Sequence, residues 1–211
     1  MTAPEHVQTE IRSLYGLGTF HVFSWGGHEE DNILVVTAGP NESGRPLVRV
    51  QSACYTAEIF RSTDCDCHEQ LDQSLHRVHA EGGAVAYMLC DGRGAGLLTK
   101  VRGLALGAHG LDTADAYKHL GVDLDPRSYE RVAHCLKSLG FNEIRLLTNN
   151  PRKLEGLRQY GIATLREPLL IPPTADSIRI CAPNNRRWAT CWTFRTGTRR
   201  TIMNSVATES Q

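Results

Sequence analysis

Cys54, Cys65 and Cys67 fall within one stretch, CYTAEIFRSTDCDC, with a single residue between the last two. Thiolates bind zinc strongly; structural sites close with four protein ligands, whereas catalytic sites use three and leave a position for water. Three cysteines suit the open arrangement. The alternative is that they are small core residues, which Asp64 and Asp66 beside them make awkward. His68 is a candidate fourth ligand that would close the site. A second stretch, DGRGAGLLTKVRG, sets Gly92, Gly94 and Gly96 around Arg93, between an apolar run and a helical pattern. Such a turn lets backbone amides and a helix N-terminus approach an anion or a polar ring, and is equally a plain turn. Asp125 and Arg127 in LDPRSYE precede a helical pattern, and Thr148, Asn149, Asn150 and Lys153 in RLLTNNPRKLEG lie where a strand runs into a helix. Proteins of the α/β class place ligand groups in both positions, although each also reads as ordinary loop and capping chemistry.

The elements that position these residues follow from periodicity. GTFHVFSW, NILVVTA and PLVRVQS are short β-branched and aromatic runs separated by turn compositions, and read as strands. Leu71, Leu75 and Val78 recur at helical spacing from His68 until EGG, and AVAYML then reads as a buried strand. Gly94 to His109 places Leu97, Leu98, Val101, Leu104, Ala105 and Ala108 on one helical face; Val132, Cys135, Leu136 and Leu139 repeat that pattern before Gly140. EIRLLT is a strand, after which Asn150 caps, Pro151 opens and Gly161 ends a helix. Alternating strand and helix from 68 to 166 predict an α/β core, a mixed sheet with flanking helices.

The chain has 211 residues, 41% hydrophobic, enough for one substantial core. Lys plus Arg and Asp plus Glu number 23 each, so bulk charge argues for neither a nucleic-acid nor an anionic-membrane partner. The N-terminus lacks a signal-like apolar segment, and no run approaches the roughly 20 apolar residues of a spanning helix, which predicts a cytoplasmic protein. Seven cysteines, an odd number, suit a reducing compartment and ligation rather than disulfides. After Pro172-Pro173 the composition shifts to arginines interleaved with Trp188, Trp192 and Phe194. Residues 1–173 therefore read as one domain and 174–211 as a basic, aromatic extension.

Taken together, these stretches resemble GTP cyclohydrolase II, over about Val48 to Leu170. The family's zinc motif (Cys, ten residues, Cys, one residue, Cys) is matched by Cys54, Cys65 and Cys67 and followed by Gln70-Leu71; its E-G-R-G-x-G-L by DGRGAGL; its D-x-R by Asp125 and Arg127; its R-L-L-T-N-N-P-x-K by RLLTNNPRK. The resemblance implies a Zn²⁺ enzyme that opens a purine ring and releases formate. It implies Arg127 as nucleophile on the α-phosphorus, Asp125 as proton acceptor, and Mg²⁺ when the substrate is a nucleoside triphosphate. Arg49, Gln51, Ser52, Gln70, Asp91, Gly92, Arg93, Thr113, Thr148 and Lys153 take the nucleotide-contacting positions, and a homodimer is expected.

Departures bear on the substrate. The family reads R-V-H-S-E before the first cysteine where this chain has RVQSA, with Gln51 for His and Ala53 for Glu; Asp91 replaces the glutamate that pairs with the guanine edge, behind Cys90; Leu104 replaces a tyrosine. These changes leave open another nucleotide, such as UMP, and ring opening without deformylation. A non-enzymatic nucleotide-binding protein whose tail contacts single-stranded nucleic acid is the remaining alternative, opposed by the retained cysteines, Asp125, Arg127 and Lys153.

Overall fold

The computed structural model describes residues 2–40, 44–107, 111, 113–123 and 125–171, with only the backbone given for Thr113 and Ala114. The proposed extension lies outside the described residues. Seven strands, β1 (Glu5–Ser13), β2 (Gly16–Ser24), β3 (Ile33–Ala38), β4 (Leu47–Ser52), β5 (Gly83–Met88), β6 (Glu143–Leu147) and β7 (Ala163–Glu167), form one sheet in the order β1-β2-β3-β5-β4-β6-β7. The first three and β5 pair antiparallel; β5, β4, β6 and β7 pair parallel. The sheet is mixed, as the sequence pattern predicts.

Among the described residues, six α-helices connect these strands: α1 (Tyr55–Glu58), α2 (Cys67–Glu81), α3 (Leu97–Gly107), α4 (Thr113–His119), α5 (Glu130–Ser138) and α6 (Pro151–Gln159). The alternation of β4 and β5 divides the core. Val48, Val50, Ala84 and Ala86 point to the face covered by Val132, Ala133 and Leu136 of α5 and Leu157 of α6. Leu47 and Val85 point to the other, where Val78, Leu71 and Leu75 of α2 pack with Leu147 and Leu169. Burying side chains such as Leu136 and Leu157, fully enclosed here, contributes about 1.5–3 kcal/mol each.

Boundaries follow local chemistry. Gly82, at φ +81°, ends α2 before β5 begins. The Asn150 side chain accepts from the Arg152 N–H at 2.9 Å, and Pro151 takes the first helical position, where its missing N–H costs nothing. The stripe expected on Gly94–His109 is helical over Leu97–Gly107, but Leu97, Leu98, Val101 and Leu104 are 40–64% exposed. Helical period alone does not say what a face packs against. Ala108 and His109 lie outside the described residues.

From β4 the chain crosses to β5 on one side, then returns past β4 to β6 on the other. In parallel α/β sheets, the carboxyl end of the strands at such a reversal leaves a crevice where ligands bind.

Candidate active site

The predicted residues converge on that crevice. Cys54 follows the end of β4, Asp91 the end of β5 and Thr148 the end of β6. The ligand atoms of Cys54, Cys65 and Cys67 all lie within 4.8 Å of one another, with the first two sulfurs 3.6 Å apart. Tetrahedral zinc at about 2.3 Å from each thiolate sets sulfurs about 3.8 Å apart, so the three thiols fit that ion. Their ionisation is coupled. Hydrogen bonds with Cys65 and Cys67, helped by Lys100, hold the Cys54 thiol well below its ordinary range, while contact with Cys54 pushes Cys65 up to about 11 and Cys67 well above its usual value. A dication would stabilise all three as thiolates. His68, the candidate fourth ligand, has its ring against Arg61 Nη1 and is not among the clustered ligand atoms.

The glycine-rich turn adopts backbone that explains its composition. Gly92 and Gly94 have φ of +60° and +87°, and a Cβ on Gly94 would stand 3.2 Å from Arg127 Cγ. Arg93 between them is also left-handed, at φ +58°, a conformation costing a non-glycine residue of order 1 kcal/mol or more and typical of functional sites. Asp91 is 2% exposed; its side chain accepts from the Gly92 and Tyr55 N–H groups and pairs with Lys100.

Asp125 and Arg127 form a two-point pair: Arg127 Nε and Nη2 each donate to one Asp125 oxygen at 2.6 Å. Arg127 Nη1 donates to Ser52 Oγ at 3.1 Å, tying the pair to the end of β4, two residues before Cys54. Burial pushes the Asp125 carboxyl up, but the Arg127 bonds outweigh it and leave the group below its ordinary value. Arg152 approaches Asp125 at 3.5 Å beside an open groove of about 370 Å³ that Arg127 and Tyr129 also line.

Arg49 and Lys153 complete the crevice. Arg49, in β4, donates from Nε and Nη2 to Gln51 Oε1 at 3.0 and 2.7 Å, from Nη2 also to Gln70 Oε1 at 2.6 Å, and from Nη1 to the Leu147 carbonyl at 3.1 Å. Burial lowers it to about 10. Lys153 reaches from the first turn of α6 to the Val50 carbonyl at 2.7 Å, and burial, with Arg49 and Arg127 nearby, holds it well below a normal lysine. Thr148 is 1% exposed, its hydroxyl accepting from the Asn150 N–H at 3.0 Å. Thr113 opens α4; its side chain lies outside the described residues.

Three supporting residues escaped the sequence reading. Glu58 accepts from Gln51 Nε2 at 2.8 Å, from the Cys54 N–H at 3.3 Å and from the Tyr87 hydroxyl. Its position four residues after Cys54 was an available signal, since i and i+4 share a helical face. Lys100 Nζ lies 2.9 Å from Asp91 and 3.2 Å from Cys54 Sγ. Tyr87 has no sequence signal beyond its place in a strand.

The family model for GTP cyclohydrolase II matches residues 5–167, most of the chain. The chain belongs to the GTP cyclohydrolase II family. It is therefore a hydrolase. GTP cyclohydrolase-2 of Vibrio parahaemolyticus is 37% identical over 161 residues, covering 76% of this chain and 77% of that protein. Riboflavin biosynthesis protein RibBA of Bacillus mycoides is 41% identical over 174 residues, covering 81% of this chain but 44% of RibBA. A solved structure of RibBX, a two-domain 3,4-dihydroxy-2-butanone 4-phosphate synthase from A. baumannii, covers 82% of this chain and 41% of its own at a TM-score of 0.42 and 18% identity. No helix among the described residues is long and apolar enough to cross a membrane.

Proposed function

We propose that this protein is a zinc-dependent nucleotide cyclohydrolase that opens the imidazole ring of GTP or a close analogue, releasing formate and pyrophosphate. It acts in the cytoplasm as a homodimer, at the entry to riboflavin synthesis or a related secondary pathway. Residues 1–173 form the catalytic domain, and 174–211 are an extension of it. The observation that carries this reading is the meeting, at one end of the parallel strands, of three thiols within 4.8 Å and two buried cations held only by neutral acceptors.

Cys54, Cys65 and Cys67 would hold the ion, which supplies Lewis acidity and brings a water's ionisation to about pH 7. The chain's own residues do the rest. Arg49 and Lys153 offer positive charge that no carboxylate among the described residues bonds directly, suited to phosphate oxygens, with magnesium as the triphosphate's further counter-ion. Asp125 holds Arg127 by two bonds and Ser52 holds its third nitrogen, so the guanidinium has little freedom. As a terminal Arg127 nitrogen bonds to the α-phosphorus, the phosphorus–oxygen bond to pyrophosphate breaks and Asp125 takes the guanidinium proton. A charged guanidinium is a poor nucleophile, which is why its base must already be in contact. Gln51, Ser52, Gln70, Asp91, Gly92, Arg93, Thr113 and Thr148 belong to the same nucleotide site.

Zinc-loaded protein incubated with GTP and magnesium should remove the purine absorbance band and release formate and pyrophosphate in equal amounts. Intact GTP would overturn GTP as substrate, and UMP turned over instead would move the site to pyrimidine rings. Leu104, 47% exposed on α3, offers no hydroxyl. This favours a second reading in which the opened ring keeps its formyl group, a product heavier by one carbonyl unit in a mass spectrum.

A further inference from the structure

We propose that Asp91 and Lys100 form a clasp that fastens the thiol loop to the glycine-rich turn, and that the site consequently accepts 6-oxopurine nucleotides with or without a 2-amino group. The substrate clause rests on the cyclohydrolase reading; the clasp does not.

An ionised carboxylate offers about four lone-pair positions, two on each oxygen. Asp91 Oδ1 receives the Gly92 N–H and Lys100 Nζ, and Oδ2 receives the Tyr55 N–H at 2.9 Å. A guanine edge presents two adjacent N–H donors, and pairing with both requires an open position on each oxygen. Oδ1 has none, and the residue is 2% exposed. The other carboxylates at the crevice are also engaged: Asp125 by Arg127 through both oxygens, Glu58 by Gln51, Tyr87 and the Cys54 N–H. None of these three carboxylates has an open position on both oxygens, which the two adjacent donors of a guanine edge require.

The same contacts give Asp91 another task. Through Tyr55 it holds the residue after Cys54; through Gly92 it caps the turn; through Lys100, whose Nζ also meets Cys54 Sγ at 3.2 Å, it fixes the start of α3. The turn in turn abuts the catalytic pair, because Gly94 packs against Arg127 Cγ. A loosened clasp shifts both the thiol loop and Arg127. Asp91 and Lys100 are therefore positioning residues, and their loss lowers kcat more than it raises KM.

The test compares GTP with ITP, which lacks only the 2-amino group, in wild-type, Asp91→Asn and Lys100→Met holoenzyme, with zinc content measured throughout. The wild-type kcat/KM ratio of the two nucleotides should lie within about 3-fold, because a charged hydrogen bond to the amino group would by itself favour GTP by about 10-fold or more. Both variants should lose kcat for GTP and ITP by a common factor, with the ratio unchanged. A wild-type preference of 10-fold or more for GTP that collapses in Asp91→Asn overturns the proposal. If wild-type protein opens neither nucleotide, the cyclohydrolase reading and the substrate clause fall together. The clasp is then decided by a thermal double-mutant cycle on Asp91→Asn and Lys100→Met: melting shifts that fail to add support it, and additive shifts overturn it.

Discussion

Helix α2 has a group of basic side chains near each end, and the two are built differently. At its carboxyl end Arg77 contacts Glu81 at 2.7 Å and Glu167 at 3.0 Å, while Arg145 of β6 meets Glu81 at 2.9 Å. Every cation there has a carboxylate, and the side chains keep 22–33% of their surface in solvent. At its amino end Arg49 is 4% exposed and Lys153 6%, and both are held by amide and carbonyl oxygens alone. Among the described residues no carboxylate bonds directly to Arg49: Asp66 and Glu58 act on it through space, and Glu58 is linked to it through the Gln51 amide. Burying a cation without a counter-ion costs several kcal/mol, which stability alone gives no reason to retain. A bound anion would supply a direct counter-charge. One cluster is complete as it stands; the other is complementary to something outside the chain.

The largest test of this contrast lies at the first residue of α2. Cys67→Ser should remove most bound zinc and lower turnover by well over the roughly 100-fold typical of residues that only support a metal ligand, measured by metal analysis and formate release. The distal cluster should keep its contribution to stability in that variant.

Lys153→Met should separate stability from binding. Replacing a buried charge with an apolar side chain of similar length raises the melting temperature of nucleotide-free protein, while nucleotide affinity falls by about 10- to 100-fold for the lost charged hydrogen bond. The pH dependence has a definite sign. Folding holds Lys153 below the ordinary 10.5, so the unfolded chain binds more protons and nucleotide-free stability rises as pH climbs from the folded value toward 10.5. That slope should be missing in Lys153→Met, and its persistence would show that Lys153 is not the group responsible.

Glu81→Gln should give the smallest effect and the opposite pattern. Hydrogen bonds from Arg77, then Arg145, hold Glu81 below its ordinary 4.5. Its contribution is complete above that value and disappears as pH falls through the lower folded one. With partners part-exposed, about 1 kcal/mol is at stake, or roughly 2–4 °C in melting temperature at pH 7. The gap from wild type should close in acid, and nucleotide binding should be unchanged. A binding defect here would erase the distinction between the two ends.

Legibility in the sequence followed the range of the interactions. The capped start of α6 was readable because Asn150, Pro151 and Arg152 are neighbours in the chain. Strand β1 was not read, although Val7, Thr9 and Ile11 alternate, because both its faces are largely exposed and polar residues fill the pattern. The exposed stripe of α3 shows the converse: its period was clear, its environment was not. The cysteines and the glycine-rich turn were marked by type and spacing, and Arg49, Gln51, Ser52, Gln70 and Thr113 came from the family resemblance, but Glu58, Lys100 and Tyr87 entered only when their partners were in view.

By itself the sequence marked the cysteine group Cys54, Cys65 and Cys67 and the order of strands and helices from 68 to 166, because these rest on residue type and spacing along the chain, while the resemblance to a family singled out Asp125 and Arg127. Only the tertiary structure decided that Arg49 and Lys153 are buried with no carboxylate among the described residues bonded to them, and that Asp91 is enclosed by Gly92, Tyr55 and Lys100. Lys153 meets the Val50 carbonyl 103 positions away, and Arg49 meets the Leu147 carbonyl 98 positions away. Such contacts exist because parallel strands bring their carboxyl ends together, and no local pattern in the chain encodes which distant oxygen will be there.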